Sequence, residues 1–211
     1  MSDAVPANPL EDLHAMLVRD GEIILDKLDE AAAAHPDKVF LHYGEDGTQV
    51  TWAEARRRSE RMAAGLAAAG VRPGDRVAVL TRNSLVTALS MFAIWRAGAI
   101  FAPVNFNLTG PLLSYQLSDA DPRLLITDPA FLETLEAIAG DWRAERMVLH
   151  LPAPGGHGEV EGQAALVARL APRAVPLAEL ERDDPPPAVE RRASDPCSII
   201  YTSGTTGPAK G

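Results

Sequence analysis

Between Tyr201 and Gly211 the chain reads Tyr-Thr-Ser-Gly-Thr-Thr-Gly-Pro-Ala-Lys-Gly. Gly204 and Gly207, the hydroxyls of Thr202, Ser203, Thr205 and Thr206, and the ammonium of Lys210 fall within this one short stretch. Each residue type suits an anion. Glycines let successive backbone N–H groups converge, because no Cβ blocks the approach. Hydroxyls add donors that rotate to meet oxygens. Lysine adds a mobile point charge with three donors. Together they favour a di- or triphosphate over a neutral ligand. The spacing is not that of the Walker loop, G-x-x-x-x-G-K-[ST]. Ala209 precedes Lys210, and Gly211 stands where a metal-binding hydroxyl is needed, which disfavours a Walker-type NTPase. A plain connecting loop would share the Ser/Thr/Gly content. Against that reading stands the apolar run Cys197-Ser198-Ile199-Ile200-Tyr201 just before it. Such a run predicts a buried strand, and phosphate loops sit at the carboxyl ends of strands in open α/β sheets.

The elements that must hold this loop are legible upstream. Residues 22–34 predict a helix with Ile24, Leu25 and Leu28 on one face, ended by His35-Pro36. Strands at 39–43 and 48–51 flank a hairpin turn at Glu45-Asp46-Gly47. Thr51 and Glu54 form a capping box for a helix over 52–69 that stops at Gly70. An alternation follows: strand 76–81, a helix capped by Asn83 or Ser84 and running through Arg96, then strand 99–104. A helix at 110–118 capped by Thr109, strand 124–127, helix 129–139, strand 147–151 and a short helix at 161–170 continue it. Apolar, non-alternating strands between helices predict an α/β fold, a mostly parallel sheet with helices on both faces. Residues 173–195, with Pro185-Pro186-Pro187, predict a surface connection. Residues 1–19 read as a flexible leader, and 20–211 as one partial domain.

Composition narrows the function classes. The formal charge is −9 with no basic patch, which argues against nucleic-acid binding and attraction to anionic membranes. Cys197 is the single cysteine, so no internal disulfide exists. Its place in an apolar run predicts a core residue. No basic and then apolar leader opens the chain, which points to a cytoplasmic protein. The most apolar stretch, 85–106, is broken by Arg96, Gly98 and Pro103 and predicts a buried helix and strand rather than a transmembrane segment. None of the five histidines has metal-ligand spacing to another ligand. Asp119 and Asp121 read as a turn before Pro122. Arg56, Arg57 and Arg58 read as a solvated helix face. No G-x-S-x-G elbow exists, so Ser203 is not a hydrolase nucleophile.

The stretch Tyr201–Gly211 resembles the signature loop of the adenylate-forming enzymes, [YF]-T-S-G-[ST]-T-G-x-P-K-G, departing only at Ala209, where proline is usual. Upstream, Thr51-Trp52-Ala53-Glu54 and Gly70-Val71-Arg72-Pro73-Gly74-Asp75-Arg76-Val77-Ala78 are similar to the amino-terminal region of AMP-forming acyl-CoA synthetases. So are Asn83, Ala97-Gly98-Ala99, Pro103-Val104-Asn105 and Asp119-Ala120-Asp121-Pro122. The resemblance implies a carboxylic acid substrate activated by ATP to an acyl-adenylate with loss of pyrophosphate, then transfer to CoA. It assigns the hydroxyls of Thr202, Ser203, Thr205 and Thr206 to the ATP phosphates, Gly204 and Gly207 to backbone approach, and Lys210 to the β- and γ-phosphates. In the family the adenine and ribose contacts, the Mg2+ ligand and the catalytic lysine lie downstream. The resemblance therefore implies a partial AMP-binding amino-terminal domain with no catalytic residue of its own, inactive in isolation. The run 101–128 points to fatty or carnitine-type acids. An adenylation domain that loads a carrier protein, or a non-catalytic module that binds nucleotide or a partner, are the alternatives.

Overall fold

The computed structural model describes residues 22–82, 84–140, 146–152 and 158–202. Helix α1 (Ile24–Ala34) buries Leu25, Leu28 and Ala32. Ile24, expected on that face, is instead 60% exposed; the buried stripe begins one residue later. Strands β1 (Val39–His42) and β2 (Gln49–Thr51) pair antiparallel across a turn with Gly47 at φ 74°, a conformation glycine adopts without steric cost. Helix α2 (Trp52–Ala68) starts with the Glu54 N–H donating to Thr51 Oγ1 at 3.2 Å, the expected N-cap bond.

The alternation then proceeds through β3 (Arg76–Leu80), α3 (Leu85–Arg96), β4 (Ile100–Pro103), α4 (Gly110–Ala120) and β5 (Leu124–Thr127). It continues through a 3₁₀ turn (Pro129–Phe131), α5 (Leu132–Glu136), β6 (Arg146–Leu149) and α6 (Gln163–Leu170), and ends with β7 (Val175–Pro176) and α7 (Leu177–Leu180). Among the described residues the sheet has five strands in the order β4-β3-β5-β6-β7, every pair parallel. Strand β4 lies on one side of β3 and β5 on the other. Sheets of this kind open ligand crevices at the carboxyl ends of their strands, where the order reverses.

Alternate residues of each strand enter different cores. Val77, Val79, Leu124 and Ile126 pack with Leu25 of α1, Leu66 of α2 and Leu89 and Ile94 of α3. Ala78, Leu80 and Leu125 pack with Leu113 and Leu117 of α4 and with Phe131 and Leu135. Helices thus cover both faces, as the unbroken apolar strands required. The stretch 85–106 resolves into α3 and β4, and among the described residues no helix is long and apolar enough to cross a membrane.

Arg96 ends α3 and is only 5% exposed. Its Nη1 donates to Asp29 Oδ2 at 3.2 Å, its Nη2 pairs with Asp29 Oδ1, and its Nε donates to Ser59 Oγ at 2.9 Å. A forked guanidinium–carboxylate pair satisfies the geometry of both groups. One buried side chain thereby ties α3 to α1 and α2.

The expectation of a surface connection over 173–195 is corrected in its first part. Val175 and Pro176 pair with Val148 and Leu149 of β6, and Leu177 and Leu180 of α7 are buried. The backbone carbonyl of Leu180 rests directly on Gly65 in the last turn of α2. The prolines and charges around this segment hide its apolar anchors from a reading based on composition.

A Gly65→Ala substitution tests that contact. Alanine favours a helix interior by about 1 kcal/mol over glycine, but a Cβ here would overlap the Leu180 carbonyl oxygen. We expect net destabilisation of about 1–3 kcal/mol, the range for overpacking, read as a lower urea midpoint. Equal or greater stability would contradict the close approach.

Candidate functional site

The glycine-rich loop is led in by the segment at Cys197–Tyr201. This segment runs beside β4 on the side away from β3, with one parallel bridge between Ser198 and Phe101. The Phe101 N–H donates to the Cys197 carbonyl at 2.9 Å, and the Ile199 N–H donates to the Phe101 carbonyl at 3.0 Å. The indole Nε1–H of Trp95, in the last turn of α3, donates to the same Cys197 carbonyl at 2.7 Å. Both lone pairs of that oxygen are therefore engaged.

Two expectations are corrected here. The apolar run is a single bridge at the rim of the sheet rather than a buried strand, with Ile200 64% exposed. Cys197 is an exposed free cysteine rather than a core residue. The reason is position. The segment has β4 on one side, and no described strand pairs with its other side.

Because the segment runs parallel to β4, the chain that follows is directed toward the carboxyl ends of the strands, the end at which such sheets bind ligands. Thr202 is exposed there. Ser203, Gly204, Thr205, Thr206, Gly207 and Lys210 lie outside the described residues.

The residue before the loop carries a tie that its apolar context did not suggest. The Tyr201 hydroxyl donates to Asp119 Oδ2, in the last turn of α4, at 2.6 Å. Burial, and then the hydrogen bond and charge of Asp119, push the Tyr201 phenol well above the ordinary tyrosine range. The two acidic residues of the 119–121 pair consequently differ in role. Asp121 adopts a left-handed conformation at φ 43° and pairs through Oδ2 with Arg76 Nη2 at 2.8 Å. It makes the expected turn. Asp119 faces Tyr201 instead.

A second polar cluster lies at the carboxyl ends of β3, β5 and β6, where the strand order reverses. Asp128, 7% exposed, accepts the Arg82 N–H on Oδ2 at 3.0 Å and meets His150 Nδ1 through Oδ1 at 2.9 Å. Tyr43, Ser84 and Pro152 help to enclose a cavity of about 30 Å³ beside them, the space of roughly one water. The cluster joins the loops that follow three strands. Its sequence signal was positional: Asp128 directly follows the buried strand β5, and His150 the buried end of β6.

A far larger cavity, about 480 Å³, opens at the other end of the sheet, lined by Ile23, Pro73, Trp95, Gly98, Val189 and Arg191 among others. It lies at the amino ends of β3 and β4, away from the end toward which the Cys197–Thr202 segment runs, so its size does not make it the reacting site. Among the described residues no three His, Cys, Asp or Glu side chains converge to hold a metal ion. Arg56 pairs with Glu60 at 2.9 Å and with Asp29 at 3.5 Å, and Arg58 sits 4.0 Å from Glu54. These pairs agree with an ion-paired helix face.

The raised Tyr201 phenol has a measurable sign. A tyrosine held protonated contributes its stabilisation below the ordinary tyrosine pKa, near ~10, and loses it only as the pH climbs through the raised value. In an alkaline spectrophotometric titration of the three tyrosines, Tyr201→Phe should remove the last-ionising component. Its persistence in that variant would refute the bond to Asp119.

Comparison with known proteins places these features in a family. The profile of the AMP-binding enzymes matches residues 28–211. A feruloyl-CoA synthase from Amycolatopsis is 39% identical over 180 residues, which cover 85% of this chain and 30% of that protein. A long-chain-fatty-acid–CoA ligase from Thermus thermophilus is 33% identical over 189 residues, 88% of this chain and 32% of that protein. The chain thus spans about a third of the length of the curated relatives it matches. The crystal structure of the anthranilate CoA ligase AuaEII in complex with anthranoyl-AMP superimposes with a TM-score of 0.71 at 28% identity, covering 88% of this chain and 33% of that one.

Proposed function

The chain belongs to the AMP-binding enzyme family, and from that premise we propose that it serves an ATP-dependent, AMP-forming acid:CoA ligase. The observation that carries the proposal is the loop Thr202–Gly211, whose hydroxyls and lysine match the family signature. It follows a segment that the sheet directs toward its carboxyl end.

In the proposed reaction a carboxylate oxygen attacks the α-phosphorus of ATP. The bond from that phosphorus to the bridging oxygen breaks, and pyrophosphate leaves. The thiolate of CoA then attacks the acyl carbonyl and expels AMP. Charge gathers on the pyrophosphate oxygens as the first bond breaks, so fixed donors at that end lower the barrier. Thr202, Ser203, Thr205 and Thr206 supply hydroxyl donors, Gly204 and Gly207 allow backbone N–H groups to approach, and Lys210 supplies the cation. Mg2+ would supply further charge neutralisation when bound. The described residues offer no ligand set for it; the donors and the lysine cation are this chain's own groups.

The acid is proposed to carry an aryl group or a fatty chain. The greater identity to feruloyl-CoA synthase favours the aryl class over the fatty or carnitine-type acids that the sequence suggested. Free CoA is favoured over a carrier-protein thiol because the relatives named above are CoA ligases. The exposed, unpaired Cys197 suits a reducing compartment such as the cytoplasm.

Acid-dependent exchange of labelled pyrophosphate into ATP, assayed on the intact gene product with ferulate, anthranilate and long-chain fatty acids, tests the reading. Exchange with at least one acid is expected, and none with any would overturn it. Lys210→Ala should lower exchange by about tenfold or more, the scale of one lost charge-assisted hydrogen bond. Wild-type exchange in that variant would remove Lys210 from the phosphate site. Residues 1–211 expressed alone should show no exchange. Measurable exchange would place the whole adenylation step within them.

A further inference from the structure

We propose that Tyr201 is a positioning residue for the phosphate loop, holding the entry to the loop at Thr202 beside the sheet through the hydrogen bond from its hydroxyl to Asp119. The inference rests on the ligase reading above and adds to it a residue outside the phosphate contacts.

Three observations carry it. The first is where backbone anchoring stands relative to the loop. Cys197, Ser198 and Ile199 are fixed to Phe101 by two backbone hydrogen bonds and one bridge, and Thr202 is again a bridge residue, whereas Ile200 between them is 64% exposed. Tyr201 lies next, one residue before the first phosphate hydroxyl, and reaches across 82 positions of sequence to α4.

The second is the rigidity of the acceptor. Asp119 lies in the last turn of α4. The end of that helix is itself locked, because Arg76 of β3 donates through Nε to the Ala120 carbonyl at 3.0 Å and through Nη2 to the Asp121 carbonyl at 2.7 Å. The tether thus ends on the sheet and not on a free side chain.

The third is the strength of the bond. A neutral phenol donating to a carboxylate at 2.6 Å is a charge-assisted hydrogen bond, the stronger class. The raised phenol keeps its proton throughout the range in which a ligase would work.

The physical consequence concerns ordering. A loop that must aim several hydroxyls and N–H groups at one polyphosphate loses conformational freedom when ATP binds. Fixing the residue before it moves part of that cost into folding, so the bound geometry is already partly formed. Tyr201 touches no reacting atom in this scheme. Its loss should weaken ATP binding in ground state and transition state alike, which appears in KM rather than in kcat.

The test uses the intact gene product and the pyrophosphate exchange assay. Tyr201→Phe keeps the ring and deletes the donor. It should raise the KM for ATP about fivefold while kcat changes less than twofold. Asp119→Ala should do the same, the double variant should be no worse than either single one, as for two ends of one contact, and Asp119→Asn, which retains a carbonyl acceptor, should recover most of the loss. Independently of activity, amide hydrogen exchange across residues 203–207 should be faster in Tyr201→Phe than in the parent. Parent-like KM together with parent-like amide exchange in Tyr201→Phe would overturn the proposal. So would a loss confined to the unfolding midpoint, or additive effects in the double variant. If the parent itself shows no acid-dependent exchange, the ligase reading fails, and the amide-exchange comparison still decides whether the tether orders the loop.

Discussion

The carbonyl oxygen of Cys197 fixes the segment that precedes the glycine-rich loop. It accepts the backbone N–H of Phe101 and the indole N–H of Trp95. One donor belongs to the edge strand and the other to the helix packed beside it, so the segment cannot slide along β4 without losing both. Trp95 is in turn placed by its neighbour. Arg96, one residue on, is held by Asp29 and Ser59 among α1 and α2. Burying a guanidinium costs several kcal/mol of desolvation, and a forked carboxylate with a satisfied Nε offsets that cost without a large surplus. The pair is therefore better understood as fixing the orientation of α3 than as adding stability. The orientation of α3 sets the indole, and the indole helps to set the segment at Cys197.

The two ends of the sheet divide the labour. At the amino ends of β3 and β4 lies a cavity of about 480 Å³, bordered by apolar side chains and by arginine and acidic groups from 189–195. At the carboxyl ends lies the Asp128–His150–Arg82 cluster, and the Cys197–Thr202 segment, parallel to β4, runs toward the same end. Volume and chemistry thus point in opposite directions. A polyphosphate is recognised by convergent donors and positive charge, and in this cavity Arg191 and Arg192 are offset by Glu22, Glu190 and Asp195.

Much of the scaffold was legible in the sequence because its signals are local. Leu124–Thr127 is a run of apolar residues between turn residues, and it is strand β5 with every residue buried. Thr51 and Glu54 announce the start of α2, and Thr51 caps it. The chemistry of the candidate loop was legible for the same reason. What failed was non-local. The run at Cys197–Tyr201 looks like a buried strand, but burial needs a neighbour on each side, and local sequence does not reveal how many neighbours a strand has. The Val175–Leu180 segment packs on Gly65, more than a hundred residues earlier, amid prolines that read as loop. Asp119 looked like half of a turn because its partner, Tyr201, lies 82 positions away. Asp128 and His150, 22 positions apart, meet only because β5 and β6 are adjacent in the sheet.

This separation between local chemistry and non-local placement also bears on substrate choice. The pyrophosphate end of the reaction is the same whichever acid is activated. A loop of hydroxyls, glycines and a lysine therefore specifies the reaction while staying indifferent to the acyl group. It can be shared between a ligase for ferulate and one for long-chain fatty acids without cost to either. Selectivity among acids has to come from apolar contacts with the acyl group itself, where one methylene is worth about 1–3 kcal/mol. A tether such as Tyr201–Asp119 acts on the shared end. In the proposed ligase it would change how readily the loop takes up ATP, and by the same reasoning would change that equally for every acid accepted.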